Sequence, residues 1–383
     1  MESADYGQGC LLQAGIDADE DSDDEDELAE VIGFVASTTP ELEMLVELAW
    51  EHECRPFTDI LYGIPICYTK LPTIYRLKEK LLASDGGGEL HVLVDNEAQV
   101  NFMEDFIRSF GFTLAKSSKW TVFLKIDMGY HRAGVTCDKE GVLLAARIIK
   151  SSYLTLQGLY SHCGHSYNSS DDAELKKIAR DDQSAIKKFI RGLTVHLTLQ
   201  KSTFDTSLLD ISVRSTPTMF SHDKMNVSNK TDLHPGNYVF YYRQQLHTGV
   251  CKDEESIAGF VLARVIGQYK DAERNAIMVD AGATALTKEG TPQGGVCSVY
   301  GSPDLECYRM SQESTMIRLK DGGNTPFPFE GYPLGTPVLL IPNHSCLAAA
   351  CFDVYHVVDD DDIGEDSQVI DLWKPAKGWH ETF

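Results

Sequence analysis

TDILYGIPICYTKLPTIYRLKEKLLASDGGGELHVLVDN, residues 58–96, decides the fold. Its first part, TDILYGIPI (58–66), is a short apolar run rich in β-branched and aromatic residues, and its last part, ELHVLVDN (89–96), is another. Between them LPTIYRLKEKLLAS (71–84) repeats its apolar residues at helical spacing. Strand, helix and strand in that order make a parallel pair joined by a crossover helix. The alternation extends in both directions: VIGFVAST (31–38) reads as a strand, ELEMLVELAWEH (41–52) as an amphipathic helix, EAQVNFMEDFIRSFG (97–111) as a helix and KWTVFLKIDMG (119–129) as a strand. GVLLAARIIKSS (141–152) is helical, LTLQGLYSHCGHSY (154–167) begins as a strand, and residues 171–192 are helical. So many units within about 200 residues favour a closed TIM-type (β/α) barrel over an open sheet.

After about Leu233 the pattern changes to strands and turns: GNYVFYY, ESIAGFVLARVIGQY, AIMVDAG, VCSVYG and TPVLLIPNHSCLAAACFDVYHVV. The expected organisation is an acidic segment over 1–30, the barrel over 31–232 and a mostly β domain over 233–383. Ten of the fourteen residues from Asp17 to Glu30 are acidic, a disordered or solvated stretch with no assigned function. A second acidic run, Asp359 to Asp362, reads as a turn between late strands.

A chain of 383 residues is long enough for two cores, and 43% hydrophobic with 24% charged residues is ordinary for a globular protein. No apolar run approaches the roughly 20 residues that span a bilayer, and MESADYGQGC carries no targeting pattern, so a cytoplasmic protein is expected. A net charge of -24 argues against nucleic acid and anionic membrane as partners, but not against a small anion held locally. The ten cysteines are scattered without a CxxC pair, which is no disulfide framework; most read as small buried hydrophobes.

Barrels of this kind do their chemistry at the C-terminal ends of the strands. Four polar segments follow strand-like runs: Asp59 to Ile66, Lys125 to Val135, Ser161 to Tyr167, and Val213 to Thr218. Each alone is also what a self-stabilised loop looks like, and Asp127 with Arg132 also suits a structural ion pair. Ser215, Thr216 and Thr218, with Gly236, Asn237 and Tyr238, offer hydroxyls and backbone N–H groups of the kind that hold a phosphate without lysine. His344 and Cys346 alternate in what reads as an extended segment, which would turn both to one face; imidazole plus thiolate suits zinc. Two protein ligands would leave positions open for substrate, although a buried cysteine beside a core histidine is the plainer alternative.

ASTTPELE, DILYGIP, VDN, KIDMGYHRAGV, GLYSHCGHSY, STPT, HPGNYVFY, VDAGATAL and PNHSC follow one another as in the eukaryotic D-serine dehydratases, which this chain resembles from about Gly33 to Trp379. More loosely, it is similar to D-threonine aldolases and alanine racemase-like barrels. The resemblance implies a pyridoxal-phosphate enzyme. Its phosphate would be held around Ser215, Thr216, Thr218, Gly236, Asn237 and Tyr238, with Tyr167 by the ring and zinc on His344 and Cys346. It implies a β-hydroxy-D-amino acid as the small-molecule substrate, D-serine first, and is compatible with a homodimer.

The pattern breaks in four places. The family's Schiff-base lysine lies in an HVKTHK-like segment ending the first barrel strand, whereas the first lysine here is Lys70. No catalytic lysine is therefore assigned, the first barrel strand is expected to be missing, and weak, non-covalent cofactor binding without pyruvate release is expected. Lys125 is the one internal substitute considered. Arg214 stands where the family has Gly, Tyr242 where it commonly has Asp, and Ser314 where SQEHG has His. The alternatives that remain open are an aldolase-like activity and a non-catalytic family member.

Overall fold

The computed structural model describes residues 10–13, 31–51, 58–84, 87–109, 119–169, 171–219, 231–291, 294–359 and 367–378. The acidic stretch from Asp17 to Glu30 and residues 360–362 lie outside them. The described chain falls into two compact units, one within Gly7–Ser166 and Ala173–Gly236, the other over Tyr167–Asp172 and Asn237–Pro375.

The first unit is a closed barrel of β1 (Cys10–Gln13), β2 (Val31–Ala36), β3 (Asp59–Pro65), β4 (Glu89–Val94), β5 (Trp120–Ile126), β6 (Leu154–Ser161), β7 (Asp210–Val213) and β8 (Thr231–Leu233). The pairs from β2 to β8 are parallel. Helices α1 (Thr39–Glu51), α2 (Leu71–Leu82), α3 (Glu97–Ser109), α4 (Lys139–Ile149) and α5 (Asp172–Leu199) connect or follow the strands, and a four-residue turn of helix, α6 (Thr216–Met219), follows β7. Local chemistry starts the helices. Thr38 and Glu41 form a capping box, with Glu41 Oε2 accepting the Ser37 and Thr38 amides at 2.7 and 2.9 Å. Asp138 caps α4 by accepting from the amides of Glu140 and Gly141. Helix α5 outruns its sequence estimate by seven residues, ending at Leu199.

Among the described residues no parallel strand occupies the first barrel position, as expected, but the position is not left open. The space between β2 and β8 is bridged by Cys10–Gln13, which runs antiparallel to both: Cys10 lies opposite Val35, and Gln13 opposite Val31 and Leu233. Two facing edges would leave rows of unpaired N–H and C=O groups. A short extended segment satisfies both edges in either direction, since an antiparallel ladder serves as well as a parallel one.

Strand side chains alternate, so every second residue enters the barrel. Val35, Leu61, Leu93, Phe123 and Tyr160 form a separate buried cluster, the interior layer. The other parity, with Ile60, Tyr62, Val92, Val94, Val122 and Leu124, packs outward into the large core shared with the helices. Two residues before the interior layer lie Asp59, His91 and Thr121. His91 Nδ1 is 2.8 Å from Thr121 Oγ1, its Nε2 is 3.2 Å from Asp59 Oδ1, and Thr121 Oγ1 donates to Glu89 Oε2 at 3.2 Å. Asp59 therefore belongs to the N-terminal end of the barrel, opposite the end expected from sequence. Gly158 is required here, because a Cβ would lie 2.2 Å from the Asp210 carbonyl oxygen and 2.5 Å from the Phe123 ring.

The second unit holds a six-stranded antiparallel sheet, in the order β11, β14, β9, β10, β13, β12, and a separate β15–β16 pair. These are β9 (Val261–Tyr269), β10 (Ala276–Val279), β11 (Cys297–Val299), β12 (Leu305–Met310), β13 (Thr315–Leu319), β14 (Pro337–Pro342), β15 (Tyr355–Val358) and β16 (Val369–Trp373). Helical turns α7 (Arg243–His247), α8 (Ala283–Leu286) and α9 (Ser345–Ala349) punctuate it. Val261, Ala263 and Val265 of β9 are buried and Leu262, Arg264 and Ile266 exposed, the alternation of a sheet with one covered face. GNYVFYY forms no strand; it is a turn in which Tyr241 has a positive φ of 49°. Among the described residues no helix is long and apolar enough to cross a membrane.

Deleting residues 1–13 should reopen the barrel between β2 and β8. We expect a loss of several kcal/mol, at about 1 kcal/mol per strand hydrogen bond, with new binding of a hydrophobic dye. Urea unfolding and dye fluorescence check this, and an unchanged midpoint would show that β1 contributes nothing to closure.

Candidate active site

At the C-terminal ends of the barrel strands, the interior positions become polar and aromatic. Lys125 lies two residues beyond Phe123 on β5, buried, with Nζ 4.6 Å from the centre of the Tyr160 ring. Burial, aided by the Arg132 charge, brings its pKa down to about 8 against the opposing pull of Asp95 and Asp127. Tyr160 stacks on His234 at 4.3 Å, and His234 lies 5.9 Å from His162. Burial first, then Arg132 and Lys125, push His162 down to about 3, so this imidazole is neutral at any physiological pH. Tyr130 meets His162 edge-on at 6.2 Å and carries Arg132 at 4.8 Å over its ring. The Asp127–Arg132 pairing considered from sequence is not what forms: Asp127 accepts the Gly129 and His131 amides, each at 3.0 Å, and meets His131 Nδ1 at 3.0 Å.

Ser215, Thr216 and Thr218, singled out for a phosphate, are wholly buried after β7. Ser215 Oγ lies 3.0 Å from Thr218 Oγ1 and 2.8 Å from Ser166 Oγ, which brings in a hydroxyl the sequence reading did not single out. Thr218 Oγ1 also accepts the Ser215 amide at 3.1 Å and donates to the Ser215 carbonyl at 3.2 Å, so the hydroxyls form a compact polar cluster of the kind that can line an anion site. Gly236 is exposed, two residues after the buried His234.

Arg214 precedes these residues at a φ of +89°, in the left-handed region that favours glycine. An arginine there costs about 1–2 kcal/mol of backbone strain. Its guanidinium is buried and donates to the Thr218 carbonyl at 3.3 Å. It also faces Asp182 of α5, a buried carboxyl that accepts from Ser161 Oγ at 2.8 Å. Burial raises the Asp182 pKa, and the Ser161 hydroxyl and the Arg214 charge partly offset that rise. The strained position thus has a charge partner.

The remaining sequence candidates belong to the second unit. Asn237 is buried and its Nδ2 donates to Ser345 Oγ and to Cys346 Sγ, both at 2.7 Å. Tyr242 stacks on His344 at 4.7 Å, and Tyr167 lies 6.5 and 6.4 Å from those two rings. Tyr238 is half-buried nearby in sequence. Burial pushes the His344 pKa down to about 4, leaving a neutral imidazole whose lone pair a metal can take. The extended geometry expected of His344 and Cys346 holds only for the first. The strand ends at Pro342, and Cys346 sits in the first turn of α9, so the pair spans a strand-to-helix junction. Among the described residues no group of three His, Cys, Asp or Glu gathers around a point. The backbone carbonyl of Ser314 closes the β12–β13 turn by accepting the Ser311 amide at 2.8 Å.

Because Asp182 has a raised folded-state pKa, its ionisation lowers stability as pH rises from the ordinary carboxyl value of 3.8 up to the raised one. Removing Arg214 lifts that folded value further. Arg214→Gly should therefore match or exceed the native chain in stability near pH 4, where strain relief dominates, and fall about 1–3 kcal/mol below it at pH 8. Adding Asp182→Asn should abolish the pH dependence of the difference. Denaturant titrations at both pH values check this; parallel curves would disprove the coupling.

Comparison with known proteins agrees with this arrangement. Residues 73–220 match the alanine racemase N-terminal domain and residues 258–358 the serine dehydratase domain. The chain is 32% identical to D-serine dehydratase of Dictyostelium discoideum, over 85% of this chain and 79% of that protein. With D-serine dehydratase of Schizosaccharomyces pombe it shares 33%, over 90% and 79%. D-threo-3-hydroxyaspartate dehydratase from Delftia sp. HT23 superimposes with a TM-score of 0.73 at 25% identity, covering 90% of this chain and 84% of that one. An alanine racemase-like barrel followed by a serine dehydratase-type β unit, at this identity over most of the chain, makes the protein a member of the D-serine dehydratase family of lyases.

Proposed function

We propose that this chain is a pyridoxal-phosphate- and zinc-dependent lyase that converts D-serine to pyruvate and ammonia. The observation that carries this is the His344–Cys346 pair. It lies inside the stretch matched to a serine dehydratase domain, with its imidazole held neutral by burial and its sulfur in contact with a buried amide. Elimination of a β-hydroxyl needs two things bound groups supply: an electron sink at Cα, from the pyridine ring, and a Lewis acid on the departing hydroxide, from zinc.

This chain's own residues would do the rest. Ser215, Thr216, Thr218 and Gly236 would hold the phosphate by hydroxyl and backbone N–H groups. Tyr167, Asn237 and Tyr238 are the further cofactor residues of this assignment. His344 and Cys346 would hold the metal and leave positions open, as a catalytic metal requires. Asn237 would fix the sulfur through its amide, the orienting role that partners of metal ligands commonly play. D-threo-3-hydroxyaspartate dehydratase has also been solved as a cysteine-to-alanine mutant in the metal-free form, which supports a cysteine ligand in this family. That enzyme shares 27% identity over 84% of this chain, which makes a β-hydroxy-D-dicarboxylic acid the competing substrate.

The purified chain should carry close to one zinc ion, and His344→Ala with Cys346→Ala should lose it along with any pyruvate release. Metal analysis and a coupled pyruvate assay on D-serine and D-threo-3-hydroxyaspartate test this. Zinc retained in full by the double variant would refute the metal assignment; turnover of hydroxyaspartate alone would move the substrate to the competing acid.

A further inference from the structure

Two cysteines face each other in the core of the second unit. Strands β11 and β12 are neighbours in the chain but stand at opposite ends of the six-stranded order, and they lie against each other without a ladder between them. The sheet is therefore rolled, with a seam between these two edge strands. Cys297 of β11 and Cys307 of β12 enter the buried core from either side of that seam, and both are free thiols. The two thiols are in hydrogen-bonding contact.

A cation stands beside them. Arg243 is half-buried, and its Nη1 donates to the Gly294 carbonyl at 2.8 Å and to Asn343 Oδ1 at 2.9 Å. Among the described residues no carboxylate comes within ion-pair distance of it, and its charge acts on both sulfurs. The Cys307 thiol first, and then burial, push the Cys297 pKa well above its ordinary value, while the Arg243 charge opposes them. A cysteine that only fills a core needs neither a second thiol nor a guanidinium at its side. A cation next to a thiol is the environment that favours thiolate once water reaches it.

We propose that Cys297 and Cys307 are a redox-active dithiol that locks the seam as a disulfide by exchange with a small-molecule disulfide. This is independent of the cofactor and metal reading above. Strand β11 is three residues long and is held on one side only, by β14, so its edge opens at low cost and lets the reagent in. The Cys297 thiolate attacks one sulfur of the reagent, whose S–S bond breaks and releases one thiolate. The Cys307 thiolate then attacks the Cys297 sulfur and expels the second. Two electrons pass from the cysteines to the reagent, which leaves as two thiols with the two cysteine protons. Two cysteines on adjoining backbones, turned toward one another, meet the directional demand of such a bond. Cys297 lies opposite Pro342 of β14, two residues before His344, so the lock also fixes the strand end from which His344 departs.

The test incubates the folded full chain with oxidised glutathione, blocks the remaining thiols with iodoacetamide, and maps tryptic peptides without reduction. Trypsin leaves both cysteines on one peptide, residues 289–309. We expect that peptide two hydrogens lighter and free of alkylation, while the exposed Cys67 and Cys351 carry glutathione. The thermal midpoint should rise by roughly 5 °C, return with dithiothreitol, and stay unchanged in Cys307→Ser. Arg243→Gln should slow formation of the bond about tenfold. Mapping the unsubstituted chain answers the main question whether or not the variants fold. Two alkylated thiols in residues 289–309 beside a glutathionylated Cys67 would overturn the proposal. A disulfide that forms without moving the midpoint would overturn the locking of the seam, and an undiminished rate in Arg243→Gln the part given to the cation.

Discussion

The two-residue period of strands closed into a ring is the constraint on which the barrel depends. In an open sheet an inward side chain can lean toward an edge and reach water; in a closed ring it cannot. The ring therefore sorts its inward residues by depth. Val35, Leu61, Leu93 and Phe123 fill the middle with hydrocarbon, and the polar residues of the same parity are driven to the two ends. At one end Asp59, His91, Thr121 and Glu89 satisfy one another. At the other, Lys125 finds aromatic faces in place of acids. The first end is complete and so reads as structure; the second is incomplete and so reads as a site.

Alternation was legible wherever apolar runs were long. Strands β2 to β6 and helices α1 to α5 all follow segments readable from residues 31–199, because period 2 and period 3.6 are written in side chains. The short closing strands were not legible: Cys10–Gln13 is four residues, and its role is defined by the two edges it meets. GNYVFYY misled for a related reason. Its aromatic residues suit a strand, but the left-handed Tyr241 turns the backbone, and tertiary context outweighs strand propensity. Of the candidate site, the residue types were readable and the geometry was not. His344 and Cys346 stood out by spacing, yet the helical turn that separates their directions begins between them. His234, Ser166 and Asp182 gave no signal of their own beyond a histidine before a Pro-Gly pair, a serine among histidines and one acid in a charged helix.

Arg214 shows how an unfavourable backbone conformation can be absorbed. A residue ill suited to its φ persists when its surroundings over-determine it. Here the Thr218 carbonyl and the buried Asp182 do so. The compensation links the loop after β7 to the long helix α5, so the hydroxyl cluster from Ser215 to Thr218 is held by charge as well as by chain geometry.

The lengths of the strands have their own dynamic consequence. Strands β2 to β6 run six to eight residues, whereas β7, β8 and β1 run four, three and four and lie side by side in the ring. Fewer ladder bonds per strand mean a lower free energy of local opening, so thermal breathing of the barrel concentrates in that sector while the opposite wall stays shut. Ser215, Thr216 and Thr218 follow directly from β7. Amide exchange would thus be fastest beside the hydroxyl cluster, and an anion bound there would act as a clasp, slowing exchange across the whole sector by holding together strands it does not touch.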